Sequence, residues 1–361
     1  MNDRLTILNG DCRELLKTIP AASVQCVVTS PPYYGLRSYL RKGHPNKALE
    51  IGQEKTPQEY VATMVGLFAE VWRVLKEGGV VWLNLGDSYC NTDKWGGQSG
   101  GKHTVAADGS IPSAAVREKK APIDGLKQKD LIGIPWRVAL ALQAVGWYLR
   151  SDIIWAKPNC MPESVTDRPT RSHEYIFLLT KNANYYYDHE AIKEPCVYDV
   201  DGTGTAARKA RSNEDLKSFP TAERNGMRPG GYKNSVNFNG KNSGNEKQRG
   251  HSRRHDGFND RWHNMSKDEQ CTGMRNKRDV WVVAPAQYRE AHFAVFPPEL
   301  IKPCILAGSR PEDLVMDPFG GSGTTGMVSL ELGRRALLMD LNQEYIEMQR
   351  KRTNVTPGLA F

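Results

Sequence analysis

The 361-residue chain contains no apolar run approaching the ~20 residues needed to span a membrane as a helix. Its seven cysteines include no Cys-x-x-Cys pair, and an odd number fits a reducing cytosol better than a disulfide framework. A reducing, cytoplasmic setting is expected. Met1 to Leu8 carry charge and pass into a strand-like run, which is not the pattern of a signal peptide. No internal repeat is visible. His251, His255, His263 and Cys271 fit no zinc-ligand spacing, so no metal is expected.

What the chain does have is positive charge, and it is concentrated. Net charge is +8 in a chain with ordinary hydrophobic and charged content, 39% and 25%. From Thr203 to Arg278 there are seventeen Lys/Arg against eight Asp/Glu, which leaves 32 basic and 33 acidic residues elsewhere. The entire excess therefore sits in one segment, dense in Gly, Asn and Ser and poor in aliphatics. That bias suits a surface facing nucleic acid, and a solvated disordered linker would carry the same bias.

The most informative stretch is Val27-Val28-Thr29-Ser30-Pro31-Pro32-Tyr33-Tyr34. Val24 to Val28 reads as a buried strand, and two prolines stop it because neither can donate to a ladder. The backbone beyond is rigid, with its carbonyls free to face a ligand. Ser30 and the Pro31 carbonyl can accept hydrogen bonds from a ring amine while Tyr33, with Tyr34 as a second candidate, stacks on the ring. Nucleobases are such rings once taken out of the duplex. A strand-ending turn with incidental tyrosines is the alternative reading.

Elsewhere the pattern alternates strand and helix. Leu5 to Leu8 reads as a strand, Asp11 as a cap for a helix from Arg13 to Thr18, and Thr56-Pro57-Gln58-Glu59 as a capping box. The helix after that box is expected to end at Gly78-Gly79, with a strand over Val80 to Leu85. Cys90 to Lys129 has no apolar periodicity and reads as a mobile loop. Further expectations are a helix over Leu131–Val145 and strands at Tyr148–Trp155 and His173–Thr180, with Tyr185-Tyr186-Tyr187 a candidate paired strand. Asp279–Val283 returns to ordered structure. A helix over Glu299–Ala307 and strands at Leu314–Met316 and Ala336–Met339 complete the series. The order implies a mostly parallel sheet covered by helices.

Between those last strands lies Asp317-Pro318-Phe319-Gly320-Gly321-Ser322-Gly323-Thr324-Thr325. Gly321-x-Gly323-x-x-Gly326 lets a ligand approach bare backbone at a helix N-terminus, with Asp340 placed to hold a ribose diol. No lysine follows Gly323, which argues against a phosphate-binding P-loop. Too little chain follows Asp340 for the second mononucleotide half of a nicotinamide enzyme. S-adenosylmethionine needs one adenosine site and a pocket for its amino-acid end, and this unit supplies both.

Two motifs in this order resemble the β class of DNA amino-methyltransferases, in which the catalytic motif precedes the cofactor motif. Val28 through Tyr33 is similar to the catalytic signature and Asp317 through Thr325 to the cofactor loop. His292 through Pro297 is similar to a second cofactor segment, and Asn9-Gly10-Asp11-Cys12 to one whose acid lies near the cofactor. Trp155-x-Lys157-Pro158-Asn159, with Asp167-Arg168 and Glu174, resembles a further block. The resemblance implies a Rossmann-like S-adenosylmethionine-dependent α/β fold, with circularly permuted motifs and an irregular basic target-recognition insertion. Residues 1–190 would form the catalytic part (with loop 90–129), 191–278 the recognition region and 279–361 the cofactor-binding part.

Implied catalytic residues are Ser30, Pro31, Pro32 and Tyr33. Implied cofactor residues are Asp11, His292, Phe296, Asp317, Phe319, Gly321, Gly323, Thr324 and Asp340. Arg253, Arg254 and Arg261 are candidates for DNA contact. Serine before Pro-Pro is implied more often for the 4-amino group of cytosine than for the 6-amino group of adenine. RNA or protein methylation and an inactive DNA-binding relative remain as alternatives. A homodimer and a cognate restriction endonuclease, in a bacterial or phage-infected cell, are open as partners alongside double-stranded DNA.

Overall fold

In the computed structural model, residues 4–41, 43–90, 125–160, 162–195, 274–286 and 297–353 are described. The chain divides into two compact units, Met1–Ile192 with Arg278–Phe361, and Lys193–Lys277. Of the second unit the described part is a short antiparallel pair, β6 (Glu194–Pro195) with β7 (Met274–Arg275), braced by an Arg275–Glu194 ion pair at 2.9 Å.

The first unit is an eight-stranded sheet. Its strands are β1 (Leu5–Asn9), β2 (Val24–Thr29), β3 (Leu75–Leu85), β4 (Tyr148–Ala156), β5 (His173–Thr180), β8 (Val280–Val282), β9 (Leu314–Asp317) and β10 (Arg335–Asp340). Their spatial order is β1-β10-β9-β2-β3-β5-β4-β8. All neighbours are parallel except the two pairs made by β5. The helices are α1 (Cys12–Leu15), α2 (Pro57–Val74), α3 (Ile134–Ala144), α4 (Pro298–Gly308), α5 (Thr324–Glu331) and α6 (Gln343–Thr353).

Strands buried on both faces read as continuous apolar runs, yet side chains still alternate between the two sides. Val27, Val81, Leu83 and Phe177 face a core with α2 and α3, whereas Cys26, Val28, Val80, Trp82 and Leu178 face one with α4 and Val328 of α5. The expected α/β architecture with helices on both faces is therefore present.

Several boundaries differ from expectation. Asp11 does cap α1, accepting from Arg13 N–H at 3.0 Å, but the α-helix stops at Leu15 and a 3-10 turn, Leu16–Thr18, follows. Thr56 and Glu59 form the capping box of α2, which ends at Val74 rather than at the glycines. Leu75 already pairs with Val24, and the register then jumps to Val80 opposite Cys26. Gly79 permits the bulge, since a Cβ there would lie 2.7 Å from Leu75 Cγ. Among the described residues Tyr185-Tyr186-Tyr187 forms no strand; β5 is already paired on both edges, by β3 and β4. Tyr186 N–H instead donates to the Gly78 carbonyl at 3.0 Å. Most of the long loop lies outside the described residues, but its feet are joined: Cys90 N–H donates to Asp130 O and Lys129 N–H to Cys90 O, both at 2.7 Å.

The order reverses between β9 and β2: one chain path leads from β9 outward to β10, the other from β2 outward to β3. Loops leaving such neighbouring strands diverge and leave a crevice at their carboxyl ends, the usual ligand position in an open α/β sheet. The loops in question are the glycine-rich turn after β9 and the Pro-Pro turn after β2. A buried carboxylate fastens them together. Thr29 Oγ1 donates to Asp317 Oδ1 at 2.7 Å, Thr325 Oγ1 to Oδ2 at 2.7 Å, and Phe319 N–H to Oδ1 at 3.0 Å. Burial pushes the Asp317 carboxyl up to about 6, and these donors pull against it.

Thr29→Val deletes one donor to this buried group and is expected to cost about 1.5–3 kcal/mol. Urea unfolding should show a lower midpoint at unchanged slope, with Thr29→Ser close to wild type. A Thr29→Val midpoint equal to wild type would remove the fastening from the account.

Candidate active site

Four strand ends contribute to a polar cluster around the Pro-Pro turn. Ser30 leaves β2 and its hydroxyl reaches Asn84 Oδ1 of β3 at 3.2 Å and the Tyr33 hydroxyl at 3.3 Å. Asn84 is 3% exposed, and its amide is oriented by Nδ2 donating to Tyr175 O of β5 at 3.0 Å. The Tyr33 hydroxyl lies 2.6 Å from Glu174 Oε2 and 2.9 Å from Asn84 Oδ1. Glu174 is ion-paired with Lys157, which follows β4 and lies over the Trp155 ring at 4.3 Å.

Proton counting orders this cluster. A phenol has one proton, and a carboxylate can only accept. Tyr33 therefore donates to Glu174 over the shorter contact, and Asn84 Oδ1 is left to receive the proton of Ser30. With its own proton directed at Asn84, Ser30 presents lone pairs. Burial and the Glu174 charge raise the Tyr33 pKa well above its usual value, so the phenol stays neutral.

Of the two proline carbonyls expected to be free for a ligand, one is taken by the protein. The Pro32 carbonyl accepts from Tyr60 at 2.9 Å, whereas no donor among the described residues takes the Pro31 carbonyl. Tyr33 is half-buried and its ring lies against Gly86, where a Cβ would sit 2.5 Å from Cε2. Tyr34 does not join it. Its ring is 1% exposed and packs on Tyr60 at 5.6 Å, with its hydroxyl donating to Lys55 O. Neighbouring side chains leave this turn in different directions, so Tyr34 enters the core while Tyr33 joins the cluster.

On the other side of the crevice, the glycine loop enters α5 with Gly321 at φ +48° and Gly323 at φ +83°. A Cβ at Gly323 would meet Gln349 Cα at 3.1 Å, and one at Gly326 would meet Leu338 at 2.7 Å. These two glycines serve packing. A Cβ at Gly321 would find nothing nearer than Phe319 O at 3.8 Å, so its bare backbone faces open space. Asp340 ends β10, accepting from Gly321 N–H at 2.9 Å and Asn342 N–H at 2.8 Å. Burial pushes its carboxyl up to about 7, against those two amides.

Asp11 lies beside this acid, since Gly10 N–H donates to Asp340 O at 3.0 Å. Its carboxylate is engaged by Arg13 at 2.6 Å. Phe319 is half-buried and packs on the α2 side of the sheet, and Thr324 is buried in the first turn of α5. Asp317 is 1% exposed and fully occupied by protein donors. Tyr39, on the loop before α2, feels both Asp340 and Glu174, which puts the two sides of the crevice in one electrostatic neighbourhood. His292, Phe296, Arg253, Arg254 and Arg261 lie outside the described residues.

Asn84 and Gly86 were not anticipated from sequence. One usable signal existed: Asn84 interrupts an apolar strand run, and a polar residue buried there must have partners.

A profile of the DNA methylase family (N6/N4 methyltransferases) matches residues 24–351. The type II methyltransferase M.SmaI of Serratia marcescens is 39% identical over 346 residues, covering 96% of this chain and 89% of that protein. The type II methyltransferase M.Cfr9I of Citrobacter freundii is 38% identical, covering 97% and 89%. Among solved structures, the cytosine-N4-specific PvuII DNA methyltransferase shares the fold, with a TM-score of 0.55 at 16% identity over 99% of this chain and 89% of that one. The sheet, its crevice and the two motifs that meet there are thus those of a known lineage: this chain belongs to the DNA methylase family of N6/N4 amino-methyltransferases.

Proposed function

We propose that this chain transfers a methyl group from S-adenosylmethionine to the 4-amino group of a cytosine extruded from duplex DNA. The observation that carries the reading is the Thr29–Asp317 hydrogen bond. It sets the Ser30-Pro31 turn beside the glycine loop, although 288 positions separate the two residues in the chain. The donor set fits the cofactor. Gly321, having no side chain, leaves space for a ligand to approach, and Asp340 offers a carboxylate for a ribose diol. Bound there, the cofactor supplies an electrophilic methyl on a sulfonium.

The protein's own part is to prepare the amine. An exocyclic amine is a weak nucleophile because its lone pair is delocalised into the ring. Ser30 Oγ and the Pro31 carbonyl accept its two protons, which localises the lone pair, and alignment against the donor supplies much of the remaining rate. No cysteine nucleophile is required; Cys12, next to Asp11, is buried and its thiol is pushed up to about 12. Serine rather than Asp or Asn before Pro-Pro favours cytosine. The basic segment 203–278, including Arg253, Arg254 and Arg261, is assigned to DNA phosphates and base edges. Site-specific modification beside a cognate restriction endonuclease, in the cytoplasm of a bacterial or phage-infected cell, completes the reading.

Three outcomes check it. Duplex DNA incubated with labelled cofactor and digested should yield N4-methylcytosine by mass, and Ser30→Ala should abolish that product while calorimetric cofactor affinity stays within about twofold. N6-methyladenine would reassign the base, and equal loss of affinity and product would contradict the role of Ser30. Only the ionised carboxylate of Asp340 can accept from a diol through both oxygens, and burial pushes that carboxyl up to about 7. Cofactor affinity should therefore fall roughly tenfold from pH 8 to pH 6, and Asp340→Asn should bind weakly with no such slope. Neutralising Arg253, Arg254 and Arg261 should weaken DNA binding and flatten its salt dependence; an unchanged salt slope would make those arginines spectators.

A further inference from the structure

Amine methylation leaves a proton to be disposed of, and Ser30 is no base. On the reading that Ser30 receives the amine, we infer that Glu174 is the terminal proton acceptor, reached through the hydroxyls of Ser30 and Tyr33. The path is short and continuous: Ser30 Oγ to Tyr33 Oη is 3.3 Å, and Tyr33 Oη to Glu174 Oε2 is 2.6 Å.

The step balances as follows. The amine lone pair forms the new N–C bond as the C–S bond of the sulfonium donor breaks, its electrons remaining on sulfur as a neutral thioether. The positive charge now on nitrogen is relieved when its proton moves to Ser30 Oγ. The Ser30 proton turns from Asn84 to Tyr33 Oη, and the Tyr33 proton moves to Glu174. A cation and a carboxylate are consumed; a neutral methylamine and a carboxylic acid are formed. Glu174 is 15% exposed at its side chain and returns the proton to water. Tyr33 passes a proton without resting as a phenolate.

Topology places this acid. β5 is antiparallel to both its neighbours, so its first residues lie at the carboxyl ends of β3 and β4, where the Pro-Pro turn is. Glu174 is the second residue of β5. The groups facing it are Lys157 beyond β4, Tyr33 in the turn, Tyr39 on the loop before α2 and His173 on its own strand. Asn84, the other neighbour of Ser30, is an amide and cannot take the proton. Glu174 and Lys157 touch neither reactant and are positioning residues, Lys157 fixing the carboxylate by its ion pair.

The test is single-turnover methylation of a duplex, at saturating enzyme and cofactor, from pH 5 to 9. The variants are Glu174→Gln, Tyr33→Phe and Ser30→Ala. Cofactor affinity is measured by calorimetry, and extrusion by the emission of a fluorescent analogue at the target base. Glu174→Gln should slow transfer roughly a hundredfold. Tyr33→Phe, which keeps the stacking ring and the Glu174–Lys157 pair, should do the same. Both should leave cofactor affinity and extrusion within about twofold. Should Glu174→Gln not fold, Tyr33→Phe alone decides. Wild-type rates in either variant, with Ser30→Ala inactive, overturn the relay and leave the reading of Ser30 standing. Full activity in Ser30→Ala, or no transfer by the wild type, overturns both.

Discussion

A carboxylate taken fully out of water must be given donors, and Asp317 takes its donors from both ends of the chain. Thr29 comes from the end of β2, while Phe319 N–H and Thr325 come from the loop that Asp317 itself begins. If one were withdrawn, a buried charge would be left short of partners, which is far costlier than the bond is worth when made. The two motifs are thus held in fixed relation by an interaction within the protein. This is why the order of the motifs along the chain does not matter to the site. Register with the neighbouring strand and the carboxylate between them set the geometry, and the connections can be cut and rejoined elsewhere.

The same logic of donors and acceptors governs the other half of the crevice. Ser30, Asn84, Tyr33, Glu174 and Lys157 come from the ends of β2, β3, β5 and β4, so no pair of neighbouring elements suffices to build the cluster. The single reversed strand is what completes it. Were β5 parallel to its neighbours, its start, and the acid with it, would lie at the amino ends of β3 and β4 instead. Asn84 acts as a fixed amide: its Nδ2 is committed to Tyr175 O, so its Oδ1 can only accept, and the direction of the Ser30 proton follows.

Much of this was legible in the sequence, and the reasons for the rest are specific. Proline and glycine announce themselves, so the Ser30–Tyr33 turn and the Gly321–Gly326 loop could be placed with their strands. The alternation of apolar strands and periodic helices gave the layered fold. The end of α2 was misread because Gly78-Gly79 resembles a helix stop, while the register jump between Val24 and Cys26 uses Gly79 to bulge a strand already begun. Tyr34 was misread because neighbouring side chains leave the turn in different directions, and nothing local says which of the two tyrosines enters the core. Asp317 could be named as a cofactor residue but not recognised as a fastening, since its partner Thr29 is distant in sequence. Glu174 stood in a recognised block, yet nothing local says that its oxygen will face Tyr33.

Gly86 shows how tightly these parts are coupled. The Tyr33 hydroxyl reaches Glu174 because the ring can lie against backbone at the end of β3, where any Cβ would come to 2.5 Å from Cε2. The next residue, Asp87, accepts from Gly133 N–H and Ile134 N–H at 3.0 Å and so anchors the start of α3. Two consecutive residues leaving β3 therefore do unrelated work, one by lacking a side chain and the other by burying one. The ring of Tyr33 is fixed on one flank by that glycine and at its tip by a carboxylate. The part of the ring left uncovered is accordingly set by contacts within the protein itself.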